Sequence, residues 1–311
     1  MNFTTTSKIS LIECGEVWLR VSRPSIVPIR SAKPQPSQLR QEDGAETLLD
    51  NLPPGCESLR RLIAQRYIQQ GMVFTHDDIV VTSGALEALN LSLQAVTQPG
   101  DTVVVESPTF YGALQAIERL GLKAIEITVD PLTGHSVDQI EATFADNDVR
   151  ACWLMTNFHN PTGTLLSDWQ KQRIVELADK YDVYLIEDDV YSELYFSEKK
   201  PSSLKAFDTQ ERVLYCGSFS KSLCPGYRLG WVVNKRFNEQ LQKLQLISRC
   251  QAVHQSSRVS RITCKTIVMI AILENCERIL SSGNWRLLNW LISTFPNRFV
   301  TRNRKAAIFF G

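Results

Sequence analysis

The chain lacks any apolar run of the roughly 20 residues that a bilayer-spanning helix needs; its longest such stretch toward the end, Thr266 to Leu273, falls far short. Met1 to Ser10 is polar, so neither a secretory start nor a membrane association is expected, and the expected location is cytoplasmic. The eight cysteines include no CxxC pair and no Cys/His cluster at metal-ligand spacing. This excludes the usual structural zinc site and the small disulfide scaffold. An excess of one charge is missing as well. Lys plus Arg is 34 against 33 for Asp plus Glu, which argues against a strongly basic nucleic-acid binder. No period of about 20 to 50 residues repeats, which disfavours solenoids and propellers.

What is present is 311 residues, 43% of them hydrophobic, ample for a sizeable core. The charge is unevenly spread. Residues 246–311 carry ten basic and two acidic side chains, net +8, leaving net −7 for residues 1–245. Residues 1–45, with four prolines between Pro24 and Pro36 and no periodicity, read as an extended arm or linker. Residues 46–245 read as the ordered domain. Residues 246–311 read as a divergent segment whose composition suggests a disrupted frame.

Within the ordered part, apolar runs and helical patterns alternate. Leu59, Leu62, Ile63, Arg66 and Tyr67 recur at helical spacing after the turn cluster Asn51 to Gly55. Strand-like runs are expected at 78–82, 102–106, 123–128, 151–156, 184–187 and 213–216. Helices are expected at 85–96, 111–120, 137–144 and 169–180, the last opened by Ser167. Such βα alternation implies an α/β fold, a mostly parallel sheet sandwiched by helices. Ligands of these sheets gather at the carboxyl ends of the strands.

Each polar loop of chemical interest falls at such an end. Ser83-Gly84-Ala85 stands where a strand hands over to a helix, as a phosphate cradle or as a plain cap. Asn157 to Gly163 either aims the Asn160 amide into the cleft or is an ordinary proline turn. Glu187-Asp188-Asp189 is either a solvated helix start or a carboxylate cluster in need of a cation. Gly217 to Trp231 sets Lys221 between serines, with Arg228 seven residues on. Lysine is the side chain that forms a Schiff base with an aldehyde, and an arginine fork suits a phosphate dianion.

Taken together, SGALEALN (83–90), SPTFYG (107–112), NPTG (160–163), EDDVY (187–191) and SFSKSLCPGYRLGW (218–231) resemble the fold type I pyridoxal-phosphate aminotransferases of class I. The wording is most similar to the aminotransferase-like domain of MocR-type GntR transcriptional regulators. The resemblance implies pyridoxal 5'-phosphate as cofactor and an amino acid or 2-oxo acid as substrate, with a homodimer as a possible assembly. It implies Lys221 as the Schiff-base lysine, Asp188 as partner of the pyridine nitrogen, and Tyr191 and Asn160 as partners of the ring's phenolic oxygen. Phe110 would stack on the ring, and Ser83, Gly84, Ala85, Ser218 and Arg228 would cradle the phosphate. Three readings follow: a transaminase, the cofactor-binding effector domain of a regulator without its DNA-binding head, or an inactive remnant. Neither a winged helix-turn-helix nor a normal carboxy-terminal small domain, with its carboxylate-gripping arginine, matches this sequence, so no nucleic-acid contact by this chain is expected.

Overall fold

The computed structural model describes residues 52–250 apart from 69, 196, 198 and 223–227. The arm expected over residues 1–45 and the divergent segment beyond residue 250 lie outside the described residues.

An eight-stranded sheet is built from β1 (Ile79–Thr82), β2 (Thr102–Ser107), β3 (Lys123–Asp130), β4 (Gly134–His135), β5 (Val149–Leu154), β6 (Tyr184–Asp188), β7 (Val213–Ser218) and β8 (Gly230–Val233), in the order β1-β8-β7-β6-β5-β2-β3-β4. The strands β7, β6, β5, β2 and β3 pair in parallel. Antiparallel pairing is confined to β4 on β3 and to β8, which lies between β1 and β7. Because β8 is antiparallel to both neighbours, β1 runs the same way as β7. The carboxyl ends of β1, β2, β5, β6 and β7 therefore share one edge, and the start of β8 arrives there too.

Helices cover both faces, as near-continuous apolar strands require. On one face α2 (Ala85–Val96), α3 (Tyr111–Arg119) and α6 (Asn238–Cys250) pack on Val80, Val103, Val105, Trp153, Ile186, Leu214 and Val232. On the other, α4 (Val137–Asp146) and α5 (Asp168–Lys180) cover Val104, Cys152, Leu154, Leu185 and Val213. A third cluster seats α1 (Glu57–Ile68) on the β1–β8–β7 edge through Leu59, Ile63, Tyr67, Tyr215 and Trp231. Each fully buried side chain of this size contributes about 1.5–3 kcal/mol.

Local signals set the boundaries. Ser167 opens α5 with a capping box, its Oγ accepting from Gln170 N and Gln170 answering the Ser167 N–H, an arrangement worth about 1 kcal/mol. Gly84, at φ 97, ends the turn into α2 in a conformation only glycine adopts cheaply. The helix α6 runs across residue 246 and is pinned by Leu241 in the core and by Gln245 Nε2 donating to Val81 O at 2.8 Å. No helix among the described residues is long and apolar enough to cross a membrane.

Candidate active site

The site lies where β1, β6, β7 and the start of β8 meet. Thr82, Gly230 and Ser218 stand side by side in the ladder. At Gly230 a Cβ would come 2.5 Å from Gly84 C and 2.7 Å from Ala85 N, so a side chain there would push α2 off the sheet. Thr82 Oγ1 donates to Gly84 O at 2.9 Å and ties the strand end to the helix start. Arg228, just before β8, donates through Nη2 to Ser83 O at 3.3 Å. Its guanidinium lies over Gly84, where a Cβ would meet Nη2 at 2.7 Å. The φ of 48 at Arg228 is left-handed for a residue with a side chain, a conformation that costs about 1–3 kcal/mol and that neighbouring structure must hold. The resulting cradle combines the positive end of α2, the exposed Ser83 side chain and a guanidinium. A phosphate ester matches that donor set. The Ser83 N–H itself donates to Glu87 Oε2 within the same turn.

Asp188 ends β6 on the α2 face, in line with Tyr184 and Ile186. It is buried, and its Oδ1 has no hydrogen-bond partner. Burial pushes its carboxyl up to about 7, the charges of Glu106 and Asp189 add to the rise, and the Val190 N–H and Lys221 pull the other way. A buried acid with a vacant acceptor is costly unless a cationic donor meets it. A protonated heterocyclic nitrogen is such a donor.

Lys221 is half-buried, with Nζ 5.4 Å from the centre of the Tyr191 ring. Its charge acts on Asp188, so the amine stands near both the acid and the phenol. Tyr191 is buried with Met155, Phe158, Val190 and Leu194. Ser218 Oγ donates to Leu229 O at 3.0 Å and accepts from Ser220 N at 3.0 Å, so its hydroxyl braces the lysine loop in this state. Two buried hydroxyls in that loop have no hydrogen-bond partner, Ser220 Oγ and Ser222 Oγ, one on each side of Lys221. Ala85 opens α2 and packs against Tyr191's cluster. Phe110 precedes α3, half-buried and tilted on Tyr111 at 4.8 Å; Gly112 leaves the space its ring needs, since a Cβ there would lie 2.4 Å from Phe110 Cε1. Asn160 is half-buried in the turn after β5.

The three successive carboxylates do not form a solvated helix start: all are buried and a turn follows. Strand alternation divides them. Glu187, on the α5 face, accepts from Thr156 Oγ1 at 3.0 Å, Leu204 N at 2.7 Å and Lys205 N at 3.2 Å. Asp189 accepts from Asn157 Nδ2 at 2.8 Å and Tyr215 Oη at 2.7 Å. Near them Lys171, fully buried on α5, donates to Asn157 Oδ1 at 2.7 Å and Ser202 O at 2.8 Å, and the charge of Lys200 acts on Asp189. Burial lowers the affinity of Lys171 for the proton, and the charges of Glu187 and Asp189 oppose that. A second buried group consists of Glu106 with His135 and His159. Sequence reasoning passed over Lys171, Glu106 and His135; the one visible signal was a glutamate closing the apolar run 102–106.

The family Aminotransferase class I and II matches residues 29–279. The chain is 49% identical over 243 residues to the uncharacterized HTH-type transcriptional regulator YdcR of Escherichia coli, covering 74% of this chain and 52% of that protein. It is 31% identical over 215 residues to aromatic-amino-acid aminotransferase 1 of Thermococcus litoralis, covering 67% and 51%. Among solved structures, LysN, the α-aminoadipate aminotransferase of Thermus thermophilus, complexed with N-(5'-phosphopyridoxyl)-L-leucine, superposes with a TM-score of 0.77 at 25% identity, over 91% of this chain and 72% of that one. The chain spans about half the length of the curated relatives it matches. It belongs to the class I and II aminotransferase family and carries that family's pyridoxal-phosphate-type α/β domain.

Proposed function

We propose that the cleft between α2, β6 and the Lys221 loop holds pyridoxal phosphate and receives an amino acid or 2-oxo acid. The observation that carries this reading is the vacant, buried Oδ1 of Asp188 in electrostatic contact with Lys221. The residues fit the group. The Gly84 turn, Ser83 and Arg228 would hold its phosphate, with Ser220 Oγ or a rotated Ser218 Oγ as a further donor. Asp188 would pair with its ring nitrogen, Phe110 would cover the ring, and Asn160 and Tyr191 would meet its phenolic oxygen. When bound, the cofactor supplies an electron-sink ring. The chain's own part is to hold the Asp188 carboxyl, buried from water, where a cationic ring nitrogen would keep it charged, and to present Lys221 Nζ as anchor and proton carrier.

A second reading rests on the 49% identity to YdcR, a transcriptional regulator: the same pocket would serve as the cofactor-binding part of a ligand sensor. Purified protein mixed with pyridoxal phosphate is expected to gain a visible absorbance band that borohydride fixes and Lys221→Ala abolishes. A folded protein that stays colourless refutes the pocket. Release of a 2-oxo acid from a single turnover with an amino acid separates the enzyme from the sensor.

A further inference from the structure

Behind the cleft, on the α5 face of the sheet, a carboxylate and two imidazoles are buried together. Glu106 Oε1 accepts from Met155 N at 2.9 Å and lies 2.7 Å from His135 Nε2. Its Oε2 stands 3.2 Å from His159 Nε2, off the axis of a well-aligned hydrogen bond. The two rings meet edge to face with centres 6.2 Å apart. All three side chains are essentially without solvent contact. Burial favours the neutral acid, but the histidines outweigh it and hold Glu106 down at about 2, so the carboxylate is charged.

The other side of His159 grips the turn that carries Asn160. Its Nδ1 lies 2.8 Å from Thr162 Oγ1 and accepts from Thr162 N at 3.4 Å. Because a backbone N–H only donates, Nδ1 is the unprotonated nitrogen, and the ring proton sits on Nε2, toward Glu106. The turn is closed by His159 N donating to Thr164 O at 2.9 Å and Gly163 N donating to His159 O at 2.6 Å. Thr162 Oγ1 continues to Thr164 Oγ1 at 3.0 Å. Asn160 thus stands in a turn whose inner wall is an imidazole hydrogen-bonded to Thr162 through Nδ1 and seated against the Glu106 carboxylate on its Nε2 side.

We infer that His159, braced by Glu106 and His135, is a positioning residue that fixes the aim of Asn160 into the cleft. The inference rests on the cofactor reading above, because Asn160's target is the ring oxygen. A donor on that oxygen draws off negative charge that would otherwise hold a neighbouring proton. Losing the donor therefore moves the pH at which the visible cofactor band titrates upward, by roughly one unit.

The test uses the cofactor-loaded protein and reads the titration midpoint of that band, which a loss of fold stability alone would not move. His159→Leu removes both ring contacts. Thr162→Val, at a half-buried position, cuts the turn-side contact and carries the test if the leucine variant does not fold. Both are expected to raise the midpoint in the direction of Asn160→Ala, and neither is expected to add to it in the double variant. If Asn160→Ala raises the midpoint while the other two leave it unmoved, or if their shifts add in full to it, the positioning role is overturned. If the folded wild type gives no band at all, the cofactor reading fails and this inference falls with it.

Discussion

Replacing Asp188 by asparagine tests whether its buried charge is held for a ligand and not for the fold. In the cofactor-free chain the carboxyl titrates near 7 against an ordinary 3.8. The folded chain therefore binds the proton more tightly than the unfolded one. Between about pH 4 and pH 7 the unfolded state releases that proton first, so stability falls as pH rises through this window and is flat above it. About three pK units at 1.36 kcal/mol each set a ceiling of about 4 kcal/mol on the penalty at pH 8. Asparagine keeps the shape and polarity of the protonated acid without the charge. Asp188→Asn is thus expected to be more stable than wild type by about 2–4 kcal/mol at pH 8 and nearly equal at pH 4, measured by urea unfolding across that range. Saturating pyridoxal phosphate should reverse the order, since the wild type gains the ligand's binding energy and the variant gains less. An advantage that is absent at pH 8, or the same at pH 4 and pH 8, refutes the argument that the charge is what costs stability. An order that the cofactor fails to reverse refutes the assignment of Asp188 as partner of the ring nitrogen.

Further outcomes follow from close contacts. Gly84→Ala, which puts a Cβ 2.7 Å from the Arg228 guanidinium at a φ of 97, should weaken cofactor affinity at least tenfold in an absorbance titration, with about 1–3 kcal/mol lost in urea unfolding. Gly217→Ala places a Cβ 2.6 Å from three atoms of the Trp231 indole and should cost about 1–3 kcal/mol by the same assay, since that indole is locked in the α1 cluster. Lys171→Met removes the hydrogen bonds to Asn157 Oδ1 and Ser202 O and leaves both acceptors buried, and should destabilise by about 1–3 kcal/mol by the same assay. Ser167→Ala removes the α5 cap and should cost about 1 kcal/mol, read as a lower unfolding midpoint with an unchanged denaturant slope.

The parallel core of the sheet was legible because its strands are short apolar runs bounded by turns: Ile79 to Thr82, Thr102 to Ser107 and Tyr184 to Asp188 sit where periodicity places them. The helix α2 matches its sequence span of 85–96 end to end, since Gly84 and Thr97 bracket an Ala- and Leu-rich run. Three elements were not read. The strand β8 has four residues beside the lysine loop, and its place is set by pairing with β1 about 150 positions earlier, which no local pattern encodes. The two-residue β4 exists through its pairing with β3. The helix α6 is largely polar and becomes visible through where Leu241 and Gln245 dock. At the candidate site, the residues with motif signatures are legible as candidates, while Lys171 and His135 are not, because they stand out through burial beside partners distant in sequence.

The unread strand is the one that joins the two halves of the site. Four parallel strands alone would bring Ser83, Asn160, Asp188 and Lys221 to one edge but would leave Arg228 on a connection leading away. Antiparallel insertion of β8 between β1 and β7 returns the chain to that edge at Gly230, and the absence of a side chain there lets α2 close down beside it. The same edge explains the carboxylate run. Because successive strand residues face opposite ways, Glu187 is turned toward Thr156 and the 204–205 backbone, while Asp188 is turned toward α2. Asp189, past the strand end, joins Asn157 and Tyr215 on the Lys171 side. Two of the three carboxylates thus have their oxygens hydrogen-bonded by the fold, although burial pushes Glu187 up to about 8 and raises Asp189 as well. The third is left with a vacant oxygen and a lysine loop across from it, an imbalance that the protein alone does not resolve and that a protonated ring nitrogen would.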